Sequence, residues 1–167
     1  MAYQGRCLTM LGQPEKGITR LTHGLAGSRA QGPRRLPMHL TFLADAYRKV
    51  QQSQHGLMHI GEAISLTEET QTRHYEPETY RVQGELLLAM HDHRAAEASF
   101  RTAINVAQRQ SAKLWELRAA TSLARLWRDQ GKRTEARDLL APIYGWFTEG
   151  FDTPDLKEAK ALLEELE

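Results

Sequence analysis

The sequence repeats itself about every forty residues, and this period constrains the fold more than any other feature. Four eighteen-residue segments, starting at positions 4, 43, 83 and 123, align without a gap at offsets of 39, 40 and 40. Each has a small residue in its second position, another thirteen residues after its start, and a large apolar residue four positions later. The small residues are Gly5, Ala44, Gly84 and Ala124, then Gly17, Gly56, Ala96 and Ala136, and the apolar residues are Leu21, Ile60, Phe100 and Leu140. Such a period is the signature of a repeat protein.

Small residues followed at helical spacing by a large one favour two closely packed antiparallel helices in every unit. Pro37 and Pro77 stand 40 residues apart, six residues before their segments, and fit the first turn of a helix. The pattern predicts paired helices over 37–51 and 54–70, 77–90 and 93–110, and 113–130 and 133–147. Alternating Val/Ile/Thr runs are absent. The expected fold is all-α, an α-solenoid of about four helical hairpins.

The two ends of this solenoid are predicted to differ. After Gly150, an N-cap at Asp152 or Thr153 and Pro154 begin a capping helix over 153–166, with an apolar stripe of Leu156, Ala159, Leu163 and Leu166. The first helix lacks its first turn, which indicates a fragment of a longer chain or, less simply, a late start codon. We expect the uncapped first hairpin to fray or to bury itself against a second copy of the chain.

The organisation predicted for the chain is therefore one repeat domain over 1–167. Its hairpins span approximately 1–28, 37–70, 77–110 and 113–147, with the capping helix over 153–166. Residues 28–36 are polar, contain Gly and Pro, and are expected to link the first two hairpins.

The composition of the chain excludes several classes of protein. The 22 Lys and Arg residues against 21 Asp and Glu residues leave a net charge of +1, unlike a strongly basic nucleic-acid-binding domain. No stretch is apolar for long enough to span a membrane, and the first residues do not form a signal peptide. Cys7 is the single cysteine, so no intramolecular disulfide forms, and we expect a cytoplasmic protein. We expect Cys7 to be buried beside Leu8 and Leu11.

Catalytic, metal and cofactor sites are not expected. His55 and His59 share a helix face and His91 and His93 flank a turn, but zinc needs three or four converging ligands, so exposed histidines are the simpler interpretation. No GxSxG elbow is present. Aromatic residues in the last third are expected in the core, an exposed partner-binding aromatic being the alternative; they are Trp115, Trp127, Trp146, Tyr144, Phe147 and Phe151.

The small–large pattern resembles the tetratricopeptide repeat, lengthened from its usual ~34 residues. The stretch from Gly84 to Leu166, most distinctively Tyr144 to Leu156, looks like the C-terminal repeat region of large bacterial signalling ATPases, which also carry a nucleotide cyclase or DNA-binding domain. The resemblance implies a non-enzymatic protein-interaction or regulatory scaffold module. Its implied partner is a protein or peptide, such as the ATPase domain of its own parent chain. This chain contains no GxxxxGK[ST] loop and no match to the cyclase aspartates, so neither activity is transferred to it.

In a tetratricopeptide-like stack, the first helix of each pair lines a concave groove. The residues predicted to line it for a partner are Arg48, Lys49, Arg81, Glu85, Arg118, Arg125 and Arg128, with Arg6 as a further candidate. Such a groove, mixed in charge with a basic bias, suits an acidic peptide or helix, although a solvated face without a ligand fits equally well. The alternative function is an effector-binding module that holds a small anionic ligand or nucleic acid. The family's Lys-and-Asn clamp for a carboxylate is absent, since Asp45 and Glu85 stand where asparagine is wanted.

Overall fold

The computed structural model describes residues 2–30 and 32–167, and every regular element within these ranges is helical. The helices are α1 (Ala2–Met10), α2 (Pro14–Ala30), α3 (Leu36–Lys49), α4 (Ser53–Thr70), α5 (Glu76–Ala89), α6 (His93–Arg109), α7 (Lys113–Asp129), α8 (Arg133–Tyr144) and α9 (Pro154–Glu165), with a 3-10 turn over Pro33–Arg35. No strand occurs in the described ranges. The all-α prediction is confirmed.

Helices α3 to α8 lie where the period predicts them, with ends that differ from the prediction by no more than three residues. Pro37 and Pro77 occupy the first turns of α3 and α5, where their missing N–H leaves no hydrogen bond unmade. Within the predicted polar link, α2 continues to Ala30 and the 3-10 turn follows. Successive pairs form the hairpins α1/α2, α3/α4, α5/α6 and α7/α8.

The small positions of the repeat are the places where paired helices come closest. All eight are buried, and the four large residues that follow them have no exposed surface. A methyl group added to Gly56 would stand 2.5 Å from Leu86 Cδ2 and 3.1 Å from the Ala44 carbonyl oxygen, and one on Gly84 would overlap the Phe100 ring. The spacing of the two helices therefore depends on the absence of larger side chains there.

A left-handed residue ends the first helix of every hairpin. Gly12, Gln51, His91 and Gly131 have φ angles of 77°, 59°, 64° and 80°, and they stand at the same offsets of 39, 40 and 40 as the helices. Glycine adopts this conformation freely in two of the units, whereas Gln51 and His91 adopt it with some backbone strain. His91 therefore lies in the turn between α5 and α6.

We call α1, α3, α5 and α7 the A helices and α2, α4, α6 and α8 the B helices. Neighbouring A helices contact one another, whereas neighbouring B helices do not in the described part of the chain. The stack therefore bends with the A helices on its inner side. No helix of the described residues is both long and apolar enough to cross a membrane.

Helix α9 packs against α7 and α8 and continues the row of A helices. Thr153 is its N-cap residue and Pro154 lies in its first turn, as predicted. Leu156, Ala159, Leu162 and Leu166 are buried, so the stripe includes Leu162, whereas the predicted Leu163 is half-buried. Together with the third and fourth hairpins they form one continuous core cluster.

Candidate binding groove

The inner face of the stack carries rows of charged side chains that repeat with the period of the chain. One row is Arg6, Asp45, Glu85, Arg125 and Glu165, at offsets of 39, 40, 40 and 40, and a second is Glu78, Arg118 and Glu158. A forty-residue step moves the chain from one inner helix to the next, so each member of a row lies beside its neighbours. We call this face, from α1 to α9, the groove.

At the N-terminal part of the groove, two arginines bind one buried carboxylate. Arg6 Nη1 lies 2.7 Å from Asp45 Oδ2, and Arg48 donates to Asp45 Oδ1 from Nε at 3.1 Å and Nη2 at 2.9 Å. Burial by itself would raise the pKa of Asp45, but the guanidinium groups of Arg48 and Arg6 outweigh it and lower this pKa to about 2. Asp45 therefore remains charged and joins the first two hairpins. Lys49 Nζ donates to the Thr9 carbonyl at 3.3 Å.

In the middle of the groove, Arg81 is held by two glutamates of its own helix. Its Nε lies 2.8 Å from Glu78 Oε2, and its Nη1 lies 3.1 Å from Glu85 Oε1. Burial would lower the pKa of Arg81, but the adjacent Glu78 and Glu85 raise it above the usual value for arginine. Arg118 Nη2 reaches the same buried Glu78 at 2.9 Å from the next A helix. These side chains link the third hairpin to the fourth.

At the C-terminal part, α9 brings carboxylates to the arginines of α7. Arg118 Nε lies 3.5 Å from Asp155 Oδ1, Arg125 pairs with Glu158, and Arg128 pairs with Glu165. Arg125 also lies 4.0 Å from Glu85. Helix α9 thus supplies three carboxylates that pair with the arginines of this half of the groove.

The predicted basic bias is consequently confined to the N-terminal part of the groove. Around Asp45 there are three cations and one anion, a net charge of +2; the cations are Arg6, Arg48 and Lys49. Farther along, four arginines face six carboxylates, a net charge of −2; these are Arg81, Arg118, Arg125 and Arg128 against Glu78, Glu85, Asp129, Asp155, Glu158 and Glu165.

The structure places all seven predicted groove residues on A helices but separates them into two groups. Arg81, Arg118 and Arg125 surround a depression of about 50 Å³, which is far below the ~300 Å³ of ordinary ligand pockets. Glu85 lies beside them, whereas Arg48 and Lys49 lie toward the first hairpin and Arg128 toward the end of α9. The groove is therefore a surface and not a cavity.

The carboxylates that α9 contributes were not among the groove residues predicted from the sequence. Glu158 stands 40 residues after Arg118, and Glu165 stands 40 after Arg125, so continuing the period past the fourth hairpin would have found them. Ser122, which donates to Glu85 at 2.7 Å, was also missed.

The prediction for Cys7 is wrong, and the prediction that the aromatic residues of the last third lie in the core is wrong for two of the six. Cys7 is exposed, because the face of α1 that turns away from α2 carries it. Trp146 and Phe151 are 58% and 46% exposed, since the loop before α9 turns them outward. Trp115 does pack inside, edge-on to Tyr75 with ring centroids 5.1 Å apart, and Trp127, Tyr144 and Phe147 pack against the core of the last two hairpins and α9.

The histidines do not converge. His55 and His59 each stack on Tyr47, at centroid distances of 5.5 Å. Among the described residues there is no group of three or more side chains able to hold a metal ion.

Comparison with known proteins supports the fold and leaves the family open. The chain matches no protein-family profile and no curated protein. Among solved structures it is similar to the TPR-like repeats of a kinesin light chain-like protein from Podosopora anserina, with 17% identity and a TM-score of 0.72, over 99% of this chain and 82% of the other. A variant of the same protein gives the same values. The chain therefore has a TPR-like solenoid fold.

Proposed function

We propose that this chain is a non-enzymatic protein-interaction module whose groove holds an acidic peptide or helix. The observation that carries the proposal is the net charge of +2 around Asp45, where Lys49 is exposed and Arg48 is half-buried on the inner face of the stack. An acidic segment lying along α1 and α3 would gain these cations without displacing α9.

The wider setting belongs to the same proposal. The module would act as a regulatory scaffold in signal transduction, in the cytoplasm, within a large bacterial ATPase or cyclase-type protein. Its partner would be a protein or peptide such as the ATPase domain of its parent chain, and a homodimer through the N-terminal end would be a second contact. The expected genomic context is an in-frame P-loop ATPase upstream of Met1, and sequencing that region checks it.

The alternative, an effector-binding module for a small anion or nucleic acid, has less support. The depression among the groove arginines is only about 50 Å³, and carboxylates line it together with the arginines. A polyphosphate following the groove would approach Glu85, Asp155 and Glu158, which are like charges. Its binding would also weaken steeply with salt.

A peptide titration tests the proposal. The probe is a fluorescein-labelled peptide with the sequence of residues 152–167, an acidic helix former with six acidic and two basic residues and hence a net charge of −4. Fluorescence anisotropy should report saturable binding to the full chain. Lys49→Glu should weaken it about fivefold, because one groove cation becomes an anion.

The matched control is Lys16→Glu, the same change at an exposed position of a B helix. It should leave the affinity for the peptide within about twofold of that of the unsubstituted chain. Equal losses in the two variants, or no saturable binding, would overturn the groove assignment. Tighter binding of tripolyphosphate than of the peptide would favour the effector alternative.

A further inference from the structure

The groove presents different charges to a partner in its two parts. Around Asp45 the anion is covered, since only 6% of its side chain is exposed. The Arg48 side chain beside it is 30% exposed, and Lys49 is exposed at the end of the same helix. A partner at this part of the groove therefore meets the cations and not the carboxylate between them.

In the C-terminal part of the groove the order of exposure is reversed. The side chains of Arg125 and Arg128 are 34% and 29% exposed, whereas the carboxylates that they bind lie farther out. Asp129, Glu158 and Glu165 are 63%, 55% and 56% exposed. Arg128 is also shared between Asp129 and Glu165, so one cation serves two anions. The accessible surface of this part is therefore acidic.

One row of exposed positions shows the change of sign along the groove. Lys49, Ala89 and Asp129 stand 40 residues apart, each is the last residue of its A helix, and all three are exposed. The row thus passes from a cation through a methyl group to an anion. A lysine suits the carboxyl end of a helix, whereas an aspartate opposes the helix dipole there, so the dipole gives no reason for the sign of Asp129.

We propose that the groove takes a bipolar peptide segment, whose acidic residues lie against α1 and α3 and whose basic residues lie against α7 and α9. This inference rests on the proposed function and adds the second half of the partner and its orientation across the stack. A wholly acidic segment that continued past α5 would place its far end beside carboxylates. A wholly basic one would meet the cations of α1 and α3. Opposite charges at the two ends of the segment avoid both repulsions.

The stack sets the distance between the two charged halves of the partner. Helices α3 and α7 are two steps apart in the row of A helices, because α5 lies between them and contacts both. At about 10 Å per step the span is about 20 Å, which corresponds to about thirteen residues of helix or about six residues of extended chain.

Two synthetic peptides of equal composition test the inference. The block peptide has four glutamates, nine alanines and four lysines in that order, so the centres of its charged blocks are about thirteen residues apart. The alternating peptide has the same residues with glutamate and lysine in turn along its length. In fluorescence anisotropy at low salt, we expect the full chain to bind the block peptide about fivefold more tightly, because only this peptide matches both parts of the groove at once.

Reversing one charge of the acidic part tests the orientation. Asp129→Lys should weaken binding of the block peptide about threefold, and it should not weaken binding of the acidic peptide of residues 152–167, which needs only the cations around Asp45. A lysine suits the carboxyl end of α7, so this variant should fold. The matched control is Asp138→Lys, because Asp138 is exposed on α8, a B helix. It should leave both affinities within about twofold of those of the unsubstituted chain.

The outcomes separate this inference from the proposed function. If the acidic peptide binds but the block peptide binds no more tightly than the alternating one, the groove takes an acidic segment and the bipolar partner is wrong. Equal effects of Asp129→Lys and Asp138→Lys on the block peptide would overturn the bipolar partner in the same way. If the acidic peptide shows no saturable binding, the groove assignment fails and this inference fails with it.

Discussion

The two ends of the stack have the same repeat geometry but opposite surfaces. At the C-terminal end, α9 buries Leu156, Leu162 and Leu166 against the fourth hairpin and turns charged residues outward. At the N-terminal end, α1 buries only small side chains and leaves Tyr3 and Leu11 exposed. The outer face of α9 is therefore charged, whereas the outer face of α1 carries exposed apolar side chains.

One position distinguishes α9 from the A helices before it. The small residues of the A helices are Gly5, Ala44, Gly84 and Ala124, and the next member of that series, 40 residues on, is Glu164. The B helix of each hairpin packs on the small residue, whereas Glu164 is exposed. The period continues through α9, but the residue that permits a partner helix does not.

Truncation should give the largest difference between the two ends. Deleting residues 152–167 removes three nearly fully buried leucines and should lower the free energy of unfolding by roughly 5 kcal/mol. Deleting residues 2–13 removes mainly small buried residues and one ion pair, and should cost about 2 kcal/mol. Urea denaturation of both truncated chains measures the difference.

The α9 truncation should also lower solubility, because it exposes apolar surface of α7 and α8. Equal losses from the two deletions would show that the ends are energetically alike. If the chain without α9 stays monomeric and has the same melting temperature as the untruncated chain, α9 does not act as a cap.

Overpacking the small positions should have the next largest effect. Ala96 and Ala136 have no exposed surface, so Ala96→Leu or Ala136→Leu should cost about 1–3 kcal/mol. Ala98→Leu is the control, because Ala98 is exposed on the same helix as Ala96. Gln108→Leu is a poorer control, since Gln108 Nε2 donates to Glu116 at 2.9 Å.

The equivalent position in the first hairpin sharpens the comparison. Gly17→Leu should likewise lower the free energy of unfolding, because even a methyl group on Gly17 would overlap Thr9 Oγ1 and stand 3.0 Å from the Gly5 carbonyl oxygen of α1. If the unsubstituted chain, Ala96→Leu and Ala136→Leu unfold at the same urea concentration, these two alanines do not set the helix spacing.

The helices could be predicted from the sequence because small and large apolar residues repeat at fixed offsets. The positions of Ala96 and Phe100 alone indicate a close helix contact. The ion pairs of the groove could not be predicted in the same way, since a charged side chain is long and can reach several partners. Arg118, for example, binds Glu78 on α5 and Asp155 on α9, and only the curvature of the stack brings both within reach. The prediction that Cys7 is buried was wrong because it relied on the neighbouring Leu8 and Leu11, whereas Cys7 is exposed in the described chain.

Asp45→Asn should have the smallest effect, after the truncations and the overpacking substitutions. It compares the two ends because the Asp45 carboxylate holds α1 and not α9. Its pKa is about 2 in the folded chain and about 3.9 in an unfolded one, so its carboxylate stabilises the fold above about pH 4 and this contribution is lost as the pH falls toward 2. Asp45→Asn should therefore cost about 1–2 kcal/mol at neutral pH, and the cost should shrink below about pH 4. Because Asp45 holds Arg6, amide exchange should accelerate in α1 and not in α9. Glu158→Gln, at an exposed pair of the other end, should change little. A cost for Asp45→Asn that stays constant between pH 5 and pH 2.5 would show that its charge does not hold the first hairpin.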